Sequence, residues 1–194
     1  MQVLFVCTAN QCRSPMAAEM FRRCCARIEF GGFWEPVSVE SAGLLPGGFP
    51  SPPEVVRVLG ELGIDASSHR STQLSDELVE GSDMIVGMAR RHVREVILLE
   101  HDAWPRVFTL KDLVRRGEDL GPRGPGESVR EWLGRLHEGR DRAGLVGNSV
   151  HDDVADPLGG TLDAYRASAR EIAVLVGAMA GLLGAPREIR TLLG

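Results

Sequence analysis

Cys7 and Arg13 are separated by five residues, Thr8-Ala9-Asn10-Gln11-Cys12, and Ser14-Pro15 follows directly. A thiol and a guanidinium at the two ends of a short loop point to chemistry on an oxyanion. Arginine's planar fork matches two oxygens of a phosphate at once. Backbone N–H groups at a helix start converge on the same anion, and the helix dipole favours it. The same positive surroundings favour thiolate over thiol. A thiolate beneath a bound phosphate is placed for in-line attack on phosphorus. The Ser14 hydroxyl is placed to donate to that sulfur when it leaves.

Such a loop needs a strand behind it and a helix ahead of it. Val3-Leu4-Phe5-Val6 is a β-branched and aromatic run that reads as a buried strand. Ser14 reads as a helix N-cap and Pro15 as the first helical position. Ala17, Met20, Phe21, Cys24 and Ile28 recur three and four apart, which marks one buried helix face. Further strands are predicted at 37–41, 83–88 and 106–110, and helices at 54–62 and 89–100. A final helix begins near Gly160-Thr161, with Leu162, Tyr165, Ala169, Ile172, Val176 and Met179 as its core-facing stripe. Strands alternating with helices predict right-handed crossovers. The expected fold is α/β: one three-layer domain, with a four-stranded parallel doubly wound sheet and helices on both faces. The stretch 115–149 is polar and contains Gly121-Pro122-Arg123-Gly124-Pro125-Gly126. It reads as an insertion within one domain spanning 1–194, with one extra short helix at 128–138.

Composition narrows the function classes. Of 194 residues, 43% are hydrophobic and 25% charged, which suits a globular chain. The net charge of −5 argues against a general nucleic-acid binder. No run reaches the roughly 18 apolar residues of a membrane span; the most apolar stretch, 172–183, is shorter and carries Gly177 and Gly181. The sequence opens on its first strand without a basic leader, so a cytoplasmic location is expected. There the four cysteines are expected as thiols. Cys24 and Cys25, neighbours on a helix, read as packing residues. The histidines show no metal-ligand spacing; His92, His101, His137 and His151 read as surface residues.

The run Val6-Cys7-Thr8-Ala9-Asn10-Gln11-Cys12-Arg13-Ser14-Pro15-Met16-Ala17 resembles the low-molecular-weight protein-tyrosine phosphatases, whose signature is Cys-x5-Arg-Ser/Thr directly after the first strand. Ser41-Ala42-Gly43, Gly63-Ile64-Asp65 with His69-Arg70-Ser71, and Asp156-Pro157-Leu158-Gly159-Gly160 look like further landmarks of that family, in order. The resemblance covers most of the chain outside 115–149. It implies that Cys7 is the nucleophile, that Arg13 clamps phosphate, and that Asp156 is general acid and then base. Asp153 is the second choice for the acid. Asn10, Ser14, Ser41 and His69 match positions of a polar network holding the loop. Cys12 matches a loop cysteine that can form a reversible disulfide with the nucleophile. No metal or organic cofactor is implied. The implied partner is a phosphorylated protein or small phosphorylated substrate, with phosphate as product and inhibitor.

The chain also departs from the tyrosine-specific pattern. Leu158 stands where that pattern has an aromatic wall, and near Gly47-Gly48 the sole aromatic residue is Phe49. Gln11 takes the loop place where tyrosine-specific members generally have an apolar residue, and where the similar protein-arginine phosphatases have threonine. The expectation is hydrolysis of a protein phosphomonoester, phosphotyrosine first, through a phosphocysteine, with protein-arginine phosphatase as the alternative. Arsenate reduction is a further alternative. With no cysteine after Cys25 it would use an external thiol. A silent phospho-binding module is the last, and the joint presence of thiol, guanidinium, hydroxyl and acid opposes it. Tyr165, on the apolar stripe of the last helix, reads as core packing.

Overall fold

Period-two burial along the strands decides how the layers form. In the computed structural model, which describes residues 1–26 and 36–184, β1 (Gln2–Cys7) sends Val3 and Phe5 into one apolar cluster and Leu4 and Val6 into another. A strand buried on both faces lies inside a sheet covered on both sides. The other strands are β2 (Ser38–Gly43), β3 (Met84–Gly87) and β4 (Val107–Thr109), and all four pair in parallel in the order β2-β1-β3-β4.

The helices in chain order are α1 (Arg13–Ala26), α2 (Pro53–Glu61), α3 (Asp76–Glu80), α4 (Arg90–Leu99), α5 (Leu110–Leu120), α6 (Val129–His137) and α7 (Leu162–Leu182). Phe21 on α1, Leu59 on α2, Leu113 on α5, Trp132 on α6 and Ile172 on α7 share the cluster of Val3 and Phe5. Val79 on α3 and Val93 and Val96 on α4 share the opposite cluster with Leu4 and Val6. The four strands and the three layers thus match the reading of the sequence. The second strand runs on to Gly43, and the stripe of α7 buries Tyr165, Ala169, Ile172, Val176 and Met179 as expected. Ile28 lies outside the described residues.

The polar stretch 115–149 is more regular than its composition suggests. The second half of α5 and all of α6 fall within it, and Val129, Trp132, Leu133 and Leu136 bury one face of α6. Trp132 is fully buried, its indole N–H donating to the Gly121 carbonyl at 3.2 Å. Ser128 and Glu131 close a reciprocal capping box at the start of α6. Arg140 lies between the Trp104 and Phe108 rings, 3.9 and 3.8 Å from their centroids. Burial there lowers its pKa to about 10. The short α3 and α5 lie outside the predicted helices, although Leu110, Leu113, Val114 and Gly117 keep helical spacing.

Cys7 ends β1 next to Gly43 of β2, and Val6 lies beside Gly87 of β3. From here α1 leaves toward one face of the sheet and α4 toward the other. That reversal opens a crevice at the carboxyl ends of the strands, where α/β folds take their ligands. Among the described residues no helix is long and apolar enough to cross a membrane.

Candidate active site

The loop 8–12 turns the chain from β1 into α1, and Asn10 makes the turn possible. Its φ is 51°, the left-handed region that asparagine tolerates better than most residues. Its side chain is fully used: Nδ2 donates to Ser14 Oγ at 2.9 Å and to Ser41 Oγ at 2.8 Å, and Oδ1 accepts from the Thr72 N–H at 2.8 Å. His69 Nε2 donates to the Asn10 carbonyl at 2.7 Å. The expected network of Asn10, Ser14, Ser41 and His69 is therefore assembled in space, with Thr72 as a member the sequence did not suggest.

Ser14 lies inside the first turn of α1, not at its cap, which corrects the N-cap reading. Its hydroxyl accepts from Asn10 and donates to Cys7 Sγ at 3.0 Å, with the Ala42 carbonyl at 3.3 Å. Both Cys7 and Ser14 are buried. A hydroxyl aimed at sulfur stabilises negative charge there, whether on a resting thiolate or a departing one.

Arg13 is buried under the loop. Its Nη1 donates to the Val154 carbonyl at 3.2 Å, and its Nη2 donates to Thr8 Oγ1 at 3.4 Å and to Asp156 Oδ2. Its Nε is buried with no partner among the described residues. A buried unpaired donor is unfavourable unless a ligand oxygen meets it, so the guanidinium is prepared for an oxyanion. Asp156 arrives from the loop before α7; Val154 N–H donates to the Met88 carbonyl at 2.8 Å and ties that loop to the end of β3. Asp156 Oδ1 accepts from the Leu158 N–H at 3.3 Å, which fixes the Asp-Pro turn. Asp153 is engaged elsewhere: it accepts from the Arg90 N–H at 2.7 Å and the Ser149 N–H at 3.0 Å.

These groups surround a cavity of about 80 Å³ lined by Cys7, Thr8, Ala9, Gln11, Cys12, Arg13, Leu45, Asp156 and Leu158. The nucleophile, clamp and acid of the sequence reading thus meet in one small crevice. Leu158 lines it as expected of a wall, whereas Phe49 stands half exposed outside the lining. Burial, with Cys7 and Asp156 nearby, pushes the Cys12 thiol up to about 12, against the smaller opposing effects of Arg13 and Tyr165. No group of three or more His, Cys, Asp or Glu among the described residues is placed to hold a metal ion.

A family model described as low molecular weight phosphotyrosine protein phosphatase matches residues 2–128. The chain belongs to this family. It is 30% identical to a protein-arginine-phosphatase of Bacillus subtilis over 97% of this chain and the whole of that protein. It is 36% identical to a probable low molecular weight protein-tyrosine-phosphatase, EpsP, of Ralstonia solanacearum over 72% of this chain and 90% of that one. A solved arginine phosphatase, YwlE, with a phosphorylated active-site serine superposes with a TM-score of 0.71 at 28% identity, covering 97% of this chain and 99% of that one. The chain is accordingly a phosphatase of the low-molecular-weight family.

Several residues of this phosphatase site escape a reading of sequence. Leu45 joins Leu158 in the cavity lining. Tyr165 is buried in the core and electrostatically coupled to Cys12. His92, expected at the surface, is fully buried with its Nε2 3.1 Å from Thr8 Oγ1. It lies on the inner face of α4 beside Val93 and Val96, and helical spacing could have placed it there.

Proposed function

We propose that this phosphatase removes phosphate from phosphoarginine side chains of proteins. The carrying observation is the wall of the cavity: Leu45 and Leu158 are aliphatic, Gln11 contributes an amide, and among the described residues no aromatic ring lines it. A flat phenyl ring loses its stacking partner there, worth about 0.5–1.5 kcal/mol. A flexible alkyl stem lies well against leucine, and an amide oxygen accepts from a guanidine N–H. The full-length likeness to a protein-arginine-phosphatase supports the same choice. Sequence alone puts phosphotyrosine first; the aliphatic wall and the full-length relatives favour phosphoarginine.

In this mechanism Cys7 attacks phosphorus while Arg13 and the loop N–H groups hold the equatorial oxygens. The P–N bond breaks as Asp156 gives its proton to the departing guanidine, and a phosphocysteine forms. Asp156 then takes a proton from water, which attacks phosphorus and releases phosphate. Ser14 donates to the sulfur as the S–P bond breaks. Free phosphate is the product and a competitive inhibitor, and the required thiol suits a cytoplasmic setting.

The test is kcat/KM on one peptide sequence carrying phosphoarginine, phosphotyrosine or phosphoserine, with arsenate reduction measured in parallel. The reading requires at least a tenfold preference for phosphoarginine, reduced by Gln11→Ile. A tenfold preference for phosphotyrosine instead makes the chain a tyrosine phosphatase and overturns the proposal.

A further inference from the structure

Thr8 follows the nucleophile directly and lines the cavity, yet its hydroxyl faces two protein groups. Arg13 Nη2 donates to Thr8 Oγ1 at 3.4 Å, and His92 Nε2 lies 3.1 Å from the same oxygen. Arginine has no acceptor, so Thr8 accepts from it. The imidazole then holds the oxygen from the other side. His92 comes from α4, on the opposite layer of the sheet, and is wholly buried; its Nδ1 has no partner among the described residues. A buried imidazole with one ring nitrogen unpaired is unfavourable for folding alone. Among the described residues the one polar contact of the His92 side chain is with Thr8, which touches the phosphate clamp.

The contact matters most when substrate is bound. Arg13 Nη2 is shared between Asp156 Oδ2 and Thr8 Oγ1, while Nη1 is held by the Val154 carbonyl. A phosphate that enters the cavity competes for Arg13, and Asp156 must be released from it to serve the leaving group. Thr8 Oγ1 and the Val154 carbonyl then remain as the protein acceptors of the Arg13 guanidinium.

We propose that His92 is a positioning residue of this phosphatase, orienting the Arg13 guanidinium through the Thr8 hydroxyl. The imidazole suits the task because it stays neutral: burial, then the charges of Arg13, Arg91 and Arg94, lower its pKa to about 3. A cationic side chain at this place would repel the clamp.

The inference rests on the phosphatase chemistry and not on the choice of phosphoarginine, so it is tested with p-nitrophenyl phosphate and with inorganic phosphate as inhibitor. T8V removes the hydroxyl and H92L the imidazole at similar volume. Each is expected to reduce kcat/KM about tenfold and to raise the phosphate inhibition constant by a similar factor. The double variant T8V/H92L is expected to match either single one, because both break the same link. T8S restores activity. H92Q, whose amide reaches the place of Nε2, retains most of it, whereas H92N, whose amide stops at the place of Nδ1, does not. Thermal midpoints recorded alongside separate orientation from folding. T8V at wild-type activity, equal losses in H92Q and H92N, or an H92L effect that multiplies in the T8V background each overturn the proposal.

Discussion

The backbone nitrogen of Asn10 lies 2.6 Å from the point a Cβ on Gly43 would occupy, with the Ala9 carbonyl carbon 2.8 Å from it. Gly43 ends β2 and the phosphate loop leaves β1 beside it, so the two backbones touch where any side chain would separate them. Gly43→Ala must push the loop outward. Overpacking of this kind destabilises by about 1–3 kcal/mol. A larger loss is expected in turnover, at least tenfold, because catalysis depends on sub-ångström placement. Melting curves with steady-state rates on p-nitrophenyl phosphate separate the two effects. Wild-type turnover in this variant would show that the loop has room to spare.

Asn10 holds the loop by conformation and by hydrogen bonding, and two substitutions separate these. Asn10→Gly keeps the φ of 51° accessible but removes the contacts to Ser14, Ser41 and Thr72. Asn10→Ala removes both. With net contributions of about 0.5–1.5 kcal/mol per buried hydrogen bond, both variants are expected to lose about 2–4 kcal/mol. Alanine should be the worse by about 1 kcal/mol for its strained backbone. Urea unfolding measures the order; alanine more stable than glycine contradicts it.

Asp156 is tied to Arg13 before substrate arrives, and its role as acid is tested by leaving-group dependence. Asp156→Asn should slow turnover about 10²–10⁴-fold for a poor leaving group. The loss should shrink steadily as the leaving group becomes more acidic. Equal losses along a series of aryl phosphates would falsify the acid assignment.

Cys12 is expected to be slow toward alkylation. With its pKa pushed up to about 12 by burial and by Cys7, its thiolate fraction at pH 8 is about 10⁻⁴, and the thiolate is the reactive form. In a Cys12-tracking mass-spectrometric assay, iodoacetamide labelling of the native protein should rise about tenfold per pH unit between 8 and 10. Rapid labelling at pH 7 in the folded state would contradict the burial.

His92 makes native stability depend on pH in one direction. Its pKa falls from the ordinary 6.5 to about 3. Between these values the unfolded chain binds a proton that the folded chain refuses, so stability falls as pH drops from about 6.5 toward 3 and is flat above. The loss attributable to this group is on the order of a few kcal/mol. Urea midpoints for wild type and His92→Gln between pH 7 and 4 should converge on acidification. A constant gap would mean that the imidazole binds protons alike in the folded and unfolded chain.

The local part of this protein is written in its sequence. Strand, loop and first helix occupy consecutive residues, so the five-residue spacing of Cys7 and Arg13, the apolar runs and Ser14-Pro15 state the anion loop without any distant contact. The alternation of strands and helices similarly states the parallel sheet, because a right-handed crossover is the usual way to connect its strands. The order of those strands was decided only in three dimensions. Placing β2 and β3 on either side of β1 brings Ser41, Gly43, His69 and Thr72 against Asn10 from one flank and His92 against Thr8 from the other. Asp156 reaches Arg13 across 143 positions because its loop is anchored to the end of β3. Local periodicity records which side of a helix or strand is buried. It does not record which neighbour the buried side meets. Helical spacing with Val93 and Val96 puts His92 on a buried face, but only the fold shows that it meets Thr8 and that Leu45 forms a wall, while Cys7 and Arg13 are legible from their spacing alone.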